Sequence, residues 1–312
     1  MILVVAAVLE DASGRILLAQ RPAGKHLAGT WEFPGGKLDP GETPAQALAR
    51  ELAEELGIRV QACEPLLSLT HAYPDRIVRL LLRRVTAWEG EPESREAQAL
   101  AWVNLEQAVR LPMPAADRPM LKALALDPRY VIDAAPSGLF DRASFLLDWE
   151  ARLQAGYRWL QFSVPGLAED ALLPLAKDCG RLAQRYGARW LLQGPPSLVA
   201  RAGAHGLHLS AADLRASQAR PLDQRAIVCA CCHDPADLHR AGELGLDFVI
   251  LSPAHARSPR ADLKAPDWRE FDALCAQSPL PVLAFSGLGS DDLAIAREHG
   301  AFGVAGMSGC AP

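Results

Sequence analysis

The sequence has no excess of basic residues. Its 32 Lys and Arg are outnumbered by 37 Asp and Glu, for a formal charge of −5, and neither residues 1–128 nor residues 129–312 form a polycation. Proteins that bind nucleic acid or anionic membranes through their charge carry a basic surface. The composition therefore excludes a dedicated protein of either class, and we expect no direct nucleic-acid binding and no membrane partner.

Long apolar runs are also missing. The run at residues 2–9 is short and has no basic start, so it predicts a buried strand rather than a signal peptide or a membrane span. The seven cysteines are an odd number in a chain long enough to fold without disulfides. We expect reduced thiols, and a cytoplasmic protein.

The residues that are present follow two different patterns along 312 positions, which is length enough for two domains. Up to residue 128, apolar runs at 2–9, 16–19, 77–85 and 99–103 predict strands, and 43–56 and 120–126 predict helices. From residue 130, eight short apolar runs predict parallel strands, separated in several places by helices such as 144–155, 171–186, 235–244 and 291–299. These runs are 130–134, 160–164, 190–193, 206–210, 227–231, 248–252, 282–286 and 302–306. We predict an α+β domain over 1–128 and a (β/α)₈ barrel over 129–312, with the last barrel helix missing because the chain stops soon after Gly309.

Three carboxylates in the predicted helix 43–56 indicate a metal site. Glu51, Glu54 and Glu55 have the spacing i, i+3, i+4, so they project from one side of a helix. Carboxylates gathered in this way repel one another unless a cation lies among them, and Mg²⁺ or Mn²⁺ prefers such oxygen ligands. Mg²⁺ bound by a few carboxylates is typical of sites for polyphosphate substrates. The alternative is a solvated acidic helix face.

The spacing of the whole segment decides between these two interpretations. Residues 36–58 satisfy the pattern G-x5-E-x7-R-E-U-x-E-E-x-G-U, with U aliphatic, at every position, and on this basis the chain is identified as a member of the Nudix hydrolases. The resemblance implies hydrolysis of a nucleoside diphosphate linked to another moiety, by metal-activated water. Gly35, through its carbonyl, and Glu51, Glu54 and Glu55 would hold the metals. Glu51 would also be the general base, with Arg50 and Glu42 orienting the carboxylates.

The flanking segments resemble the MutT-type 8-oxo-dGTP diphosphatases over residues 1–126. The segments that carry this resemblance are 31–37, 73–76, 95–98 and 113–119. It implies that Arg21, Phe33, Arg76 and Asp117 contact the nucleotide, and that Glu96 is a further metal ligand or base. Asp117 replaces the Asn that is usual in this subtype. Because an ionised Asp only accepts hydrogen bonds, Asp117 must be protonated or must recognise a different donor pattern.

The second half resembles the thiamine-phosphate synthases and the related thiazole tautomerases, through segments 203–214, 229–233, 245–253 and 281–288. Two cationic residues of the synthase are absent from the stretch that starts at Gln161, and Gln193-Gly-Pro stands where the family has Asn-Asp-Arg. Asp213 matches the other metal-binding Asp, and Pro253 takes the place of the tautomerase's catalytic His. We therefore expect neither activity.

Two groups in the barrel remain as candidates for binding. Gly287, Gly289 and Ser308 stand where barrels of this type bind phosphate on backbone N–H groups, although glycines are also common at barrel rims. The cluster Cys229, Cys231, Cys232 and His233 contains zinc-ligand residue types, but strand alternation sends Cys232 to the opposite face. We interpret these thiols as core residues, and the lone His26 and His71 as structural.

The predicted function is that of a Mg²⁺-dependent nucleoside triphosphate pyrophosphohydrolase, with Mn²⁺ as a possible substitute metal. The expected substrate is 8-oxo-dGTP, giving 8-oxo-dGMP and pyrophosphate, which would remove a mutagenic nucleotide from the pool. An alternative is hydrolysis of a thiamine-related pyrophosphate, with the barrel as a ligand-binding or regulatory module. The sequence leaves the oligomeric state open.

Overall fold

A computed structural model describes residues 1–132, 140–252, 267–285 and 287–307 of the chain. The contacts divide it into two compact units, Met1–Leu126 and a second one that begins at Asp127. Within the described ranges, no helix is both long enough and apolar enough to cross a membrane.

The first unit is built on two small sheets, as the prediction of an α+β domain requires. In one, β1 (Ile2–Val8) pairs in parallel with β5 (Ile77–Glu89), and β4 (Arg59–Ala72) pairs with β5 in the antiparallel direction. In the other, β2 (Ile16–Gln20) lies between β3 (Trp31–Glu32) and β6 (Leu100–Val103), with all pairs antiparallel.

Helix α1 (Pro44–Leu56) is the element that the sequence predicts best. The side chain of Thr43 accepts the backbone N–H of Gln46 and starts the helix, and Gly57 ends it in the left-handed conformation, at φ 69°. The buried face packs into the hydrophobic core with strands β1 and β2. That face consists of Ala47, Leu48, Leu52 and Leu56. Core packing therefore fixes the opposite face, which carries the predicted carboxylates.

Other elements of the first unit were not predicted or were misplaced. The long strand β4 and the short strand β3 were missed, as was helix α2 (Leu105–Arg110). The helix expected at 120–126 is α3 (Asp117–Leu124), which begins three residues earlier than predicted. Strand β4 contains register shifts at Val60/Ala62, Ala62/Cys63 and Pro65/Leu67, so it lacks the regular alternation by which strands are recognised.

The second unit is a closed barrel of eight parallel strands, and each of the eight predicted strands is confirmed. In chain order they are β7 (Arg129–Ile132), β8 (Trp159–Phe162), β9 (Arg189–Leu192), β10 (Gly206–Leu209), β11 (Ile227–Cys232), β12 (Phe248–Leu251), β13 (Val282–Phe285) and β14 (Gly303–Met307). The surrounding helices within the described residues are α4 (Arg142–Gln154), α5 (Glu169–Arg185), α6 (Ser197–Ala202), α7 (Ala211–Ala216), α8 (Pro235–Glu243), α9 (Trp268–Cys275) and α10 (Leu293–Glu298). Of these, α6, α7 and α9 were not predicted.

Pairing of β14 with β7 closes the barrel, and Gly303 makes that pairing possible. A Cβ atom placed on Gly303 would overlap the backbone carbonyl of Pro128, which immediately precedes β7. Because the obstacle is backbone on a neighbouring strand, neither a rotamer change nor a small shift can relieve it.

We therefore expect Gly303→Ala to destabilise the barrel by about 3 kcal/mol or more, as overpacking of a closed core does. Thermal unfolding followed by near-UV circular dichroism, which reports on the buried barrel tryptophans, measures the effect. An unchanged unfolding temperature would show that the two strands do not approach as closely as described.

Candidate active site

A cavity of about 530 Å³ opens in the first domain. Its walls come from β1, β3, β5 and α1, from the loops that follow β2, β3, β4 and β5, and from the start of α3. The predicted site residues that line it are Arg21, Phe33, Gly35, Glu51, Glu55, Arg76, Glu96 and Asp117. The fold thus brings together side chains that are separated by up to 96 positions, between Arg21 and Asp117.

The three predicted carboxylates of helix α1 do not all face this cavity. Glu51 and Glu55, one helical turn apart, line it. Glu54 is not a lining residue; its side chain is 59% exposed and lies 3.6 Å from Arg50. Two of the three carboxylates therefore stand in the cavity wall, and a further carboxylate there, Glu96, comes from another element.

Arg50 orients Glu51 from behind the cavity. Its Nη1 donates to Oε1 of Glu51 at 2.8 Å, and its Nε and Nη2 donate to the two carboxylate oxygens of Glu42 at 2.8 and 2.9 Å. Hydrogen bonds from Arg50 lower the pKa of Glu42 to about 2, so Glu42 is ionised at neutral pH. Glu42 and Arg50 therefore form a fixed ion pair whose remaining donor aligns the carboxylate of Glu51.

Two glycines before the helix leave room for the carboxylates. A Cβ atom on Gly36 would coincide with the carboxylate of Glu51, and one on Gly35 would overlap the carbonyl oxygen of Val5. Gly35 has φ of 144°, and its N–H donates to Oε2 of Glu55 at 3.3 Å. Gly36 therefore lets the backbone pass close to the carboxylate of Glu51, and Gly35 lets it pass close to the backbone of β1.

Negative charge is crowded in the cavity. Burial raises the pKa of Glu55 to about 7. The hydrogen bond from the Gly35 N–H opposes this shift, whereas the charges of Glu51, Glu96 and Glu32 add to it. Burial also raises the pKa of Glu32, although Arg21 opposes the shift. Hard oxygen donors with such a charge excess, under a backbone that glycine keeps open, fit a divalent cation. In the part of the chain that is described, however, no three His, Cys, Asp or Glu side chains already form a metal-binding group.

The third carboxylate, Glu96, is positioned by a buried amide that sequence reasoning missed. Gln98 is 6% exposed; its Oε1 accepts the Glu96 N–H at 2.8 Å, and its Nε2 donates to the carbonyl of Glu55 at 3.0 Å. Ala97 between them has φ of 59°. Gln98 therefore ties the loop of Glu96 to the end of α1. Its place in segment 95–98 was the signal available in the sequence.

Asp117 lies at another part of the cavity wall, among apolar and charged neighbours. It is 8% exposed, and its Oδ1 is 3.5 Å from the backbone N of Phe33. Burial raises the pKa of Asp117 to about 7, the charge of Glu32 adds to the rise, and Arg21 opposes it. The side chain is thus poised between its protonated and ionised forms near neutral pH.

An aromatic and cationic pair lies at the tip of the β4–β5 hairpin and also lines the cavity. The guanidinium of Arg76 lies 5.4 Å from the centre of the Tyr73 ring, and that ring contacts His71 edge to face. His26 lines the cavity too, and its carbonyl accepts a hydrogen bond from Arg21 Nε at 2.7 Å. These contacts present a flat ring and two guanidinium groups, of Arg21 and Arg76, to the cavity.

Part of the site predicted for the barrel lies outside the described residues. The Gly289 N–H donates to Asp292 at 2.8 Å, so a carboxylate of the chain already uses one of the proposed phosphate donors. Gly287 has φ of 60°, and Ser308, Pro253 and Gly309 lie outside the described residues. Cys231 hydrogen-bonds with Nε2 of the buried His208 at 3.1 Å, whereas Cys232 belongs to the hydrophobic core.

Comparisons with known proteins follow the same division of the chain. Residues 4–123 match the NUDIX domain family, and residues 131–310 match the thiamine monophosphate synthase family. A CTP pyrophosphohydrolase of Escherichia coli (strain K12) is 46% identical over 123 residues, which are 39% of this chain and 90% of that protein. An 8-oxo-dGTP diphosphatase of the same organism is 38% identical over 117 residues, 38% of this chain and 91% of that protein.

The barrel has its own relative. A protein of Geobacter sulfurreducens, provisionally named a thiamine-phosphate synthase, is 30% identical over 161 residues, which are 51% of this chain and 76% of that protein. Both resemblances drawn from the motifs are confirmed, as are the two fold classes. The chain therefore belongs to the Nudix hydrolases through its first domain and to the thiamine monophosphate synthase family through its second.

Proposed function

We propose that the first domain is a Mg²⁺-dependent nucleoside triphosphate pyrophosphohydrolase that converts 8-oxo-dGTP to 8-oxo-dGMP and pyrophosphate. The observation that carries the proposal is one cavity in which Glu51, Glu55 and Glu96 face Arg21 and Arg76. Carboxylates for a metal and cations for phosphates are the two requirements of phosphoryl chemistry. The role would be sanitation of the nucleotide pool in the cytoplasm.

The metal would be held by oxygen atoms of the chain. Nudix hydrolases generally use divalent metals, and the Gly35 carbonyl with the carboxylates of Glu51, Glu55 and Glu96 suits Mg²⁺, or Mn²⁺ in its place. Glu54 would join them from the exposed side of α1. When bound, the metal supplies charge neutralisation at the phosphates.

Glu51 is proposed as the general base. Arg50 donates to Oε1 of Glu51, and within the described residues no arginine donates to Oε2. Oε2 can therefore accept the proton of an attacking water. The Arg50–Glu42 pair holds this carboxylate in one orientation during the reaction. Arg21 and Arg76 would bind the nucleotide, and the phosphate chain would extend toward α1.

The protonation state of Asp117 would determine which nucleobase the cavity prefers at a given pH. Protonated, it offers one donor and one acceptor, which matches the O6 acceptor and N7–H donor of 8-oxoguanine. Ionised, it only accepts, which suits the amino group of cytosine. The similarity to a CTP pyrophosphohydrolase makes CTP the second candidate substrate.

The barrel is proposed to lack synthase activity. A pocket of about 620 Å³ at the ends of β8, β9 and β10 is lined by Ser163, Gln193, Asp213 and mainly apolar residues, with no Lys or Arg among its described lining. Asp213 is engaged in capping α7 through Ser210. A pyrophosphate bound there would lack the cations that neutralise its charge.

Replacement of Glu51 tests its proposed role as the general base. Glu51→Gln should lower kcat by about 10³-fold or more, because both proton acceptance and metal binding are weakened. Glu106→Gln, which alters an exposed carboxylate paired with Arg110 on α2, is the matched control and should retain full turnover. Equal unfolding temperatures of both variants exclude misfolding; near-normal turnover of Glu51→Gln would remove it as base.

The second prediction concerns pH. As pH rises from 6 to 8, Asp117 loses its proton: the protonated fraction falls by about tenfold and the ionised fraction rises by about tenfold, so kcat/KM for 8-oxo-dGTP relative to CTP should fall by up to about 100-fold. Glu55, whose pKa is also raised to about 7, lines the same cavity together with Glu32, Arg21, Tyr73 and Arg76. Because these groups act on both substrates, the ratio isolates Asp117. In Asp117→Asn the ratio should become independent of pH. The same slope in this variant would assign the titration to another group.

The third prediction concerns the barrel. Supplied with thiazole phosphate, a pyrimidine pyrophosphate and Mg²⁺, the full chain should form no thiamine phosphate above an enzyme-free blank. Formation of thiamine phosphate at an enzymatic rate would show that synthesis does not need the missing cations.

A further inference from the structure

Lys25 is a cavity residue whose charge the proposed reaction does not yet use. Its ammonium nitrogen lies 2.9 Å from Oε2 of Glu96, and both side chains line the cavity. The two side chains are 53% and 44% exposed. An ion pair between side chains this exposed is weak, so either partner can exchange the other for a ligand of higher charge.

Backbone contacts hold both partners in place independently of their ion pair. The loop of Lys25 is closed by two backbone hydrogen bonds of 2.9 Å: the N–H of Arg21 donates to the carbonyl of Thr30, and the N–H of Gly29 donates to the carbonyl of Arg21. The loop of Glu96 is fixed by the buried amide of Gln98. Loss of the ion pair would therefore free two charged side chains at the cavity without displacing the segments that carry them.

We propose that Lys25 is a positioning residue that competes with the metal for Glu96 and, once displaced, binds the polyphosphate of the substrate. This inference rests on the proposed function of the same cavity. In the free protein the ammonium group neutralises Glu96. When a metal and a nucleotide enter together, Glu96 turns to the metal and Lys25 turns to the phosphates.

The chemistry of the two groups supports the exchange. A lysine carries a compact charge on a flexible stem, so its nitrogen can turn from a carboxylate to a phosphate while its Cα stays in place. The electrostatic field of Glu55 also acts on Lys25, so the ammonium group interacts with the same carboxylates that a metal would bind. A triphosphate carries more charge than one carboxylate and therefore wins the competition for Lys25.

Binding of Mn²⁺ to the full chain without nucleotide, followed by electron paramagnetic resonance, tests the competition directly. Removal of the competing charge in Lys25→Met should tighten Mn²⁺ binding by about tenfold. The same variant should raise KM for the triphosphate by about tenfold and leave kcat within about threefold at saturating metal, since the lost contact is to the substrate. Lys25→Arg should restore both values toward those of the unchanged protein.

Arg110→Met is the control, because it removes an exposed ion pair, with Glu106, whose residues do not line the cavity. It should change neither Mn²⁺ binding nor KM. Unchanged Mn²⁺ affinity and KM in Lys25→Met would overturn the inference, and so would a joint weakening of both with a lower unfolding temperature, which would mean a merely structural pair. If the unchanged protein hydrolyses no triphosphate, the proposed function fails, whereas the Mn²⁺ experiment still tests the competition for Glu96.

Discussion

Repulsion among carboxylates in one half-buried cavity is the constraint on which the first domain depends. Glu51, Glu55 and Glu96 come from a helix and a loop, and Glu32 adds a fourth negative charge. Three basic side chains each form an ion pair with one of these carboxylates: Arg50 with Glu51, Lys25 with Glu96, and Arg21 with Glu32. Glu55 has no such partner among these ion pairs, and its pKa is raised by burial and by the neighbouring carboxylates. Binding a cation would relieve the repulsion in such a site. In the proposed function, that cation would also neutralise charge on the substrate's phosphates.

The metal-binding helix could be predicted closely because its local and tertiary signals agree. The cap at Thr43, the stop at Gly57 and the leucine stripe all indicate the same helix, and the carboxylate spacing then follows from helical geometry. Spacing alone could not show that Glu54 is exposed beside Arg50 and does not line the cavity. Nor could spacing reveal the roles of Lys25, Glu32 and Gln98. These roles depend on segments that approach α1 only in the folded chain. Strand β4 was missed because bulges and Pro65 interrupt its alternation.

In the barrel, too, only some of the features could be predicted from the sequence. Its eight strands were predictable, since short apolar runs at regular intervals are the pattern of buried parallel strands. Helices α6 and α7 have only six residues each, too short for a helical pattern to be recognised. Family resemblance fixes the barrel architecture, while the chemistry depends on a few residues at the strand ends, where Gln193 and its neighbours replace charged groups. Architecture was therefore predictable from the pattern, and activity only from the individual residues.

Product analysis of the purified protein acting on 8-oxo-dGTP, with and without Mg²⁺, is the most direct test of the proposed function. We expect 8-oxo-dGMP and pyrophosphate in equal amounts, dependent on the metal, and much slower turnover of thiamine pyrophosphate under the same conditions. Release of inorganic phosphate, turnover without a divalent metal, or a preference for thiamine pyrophosphate would contradict the proposed function.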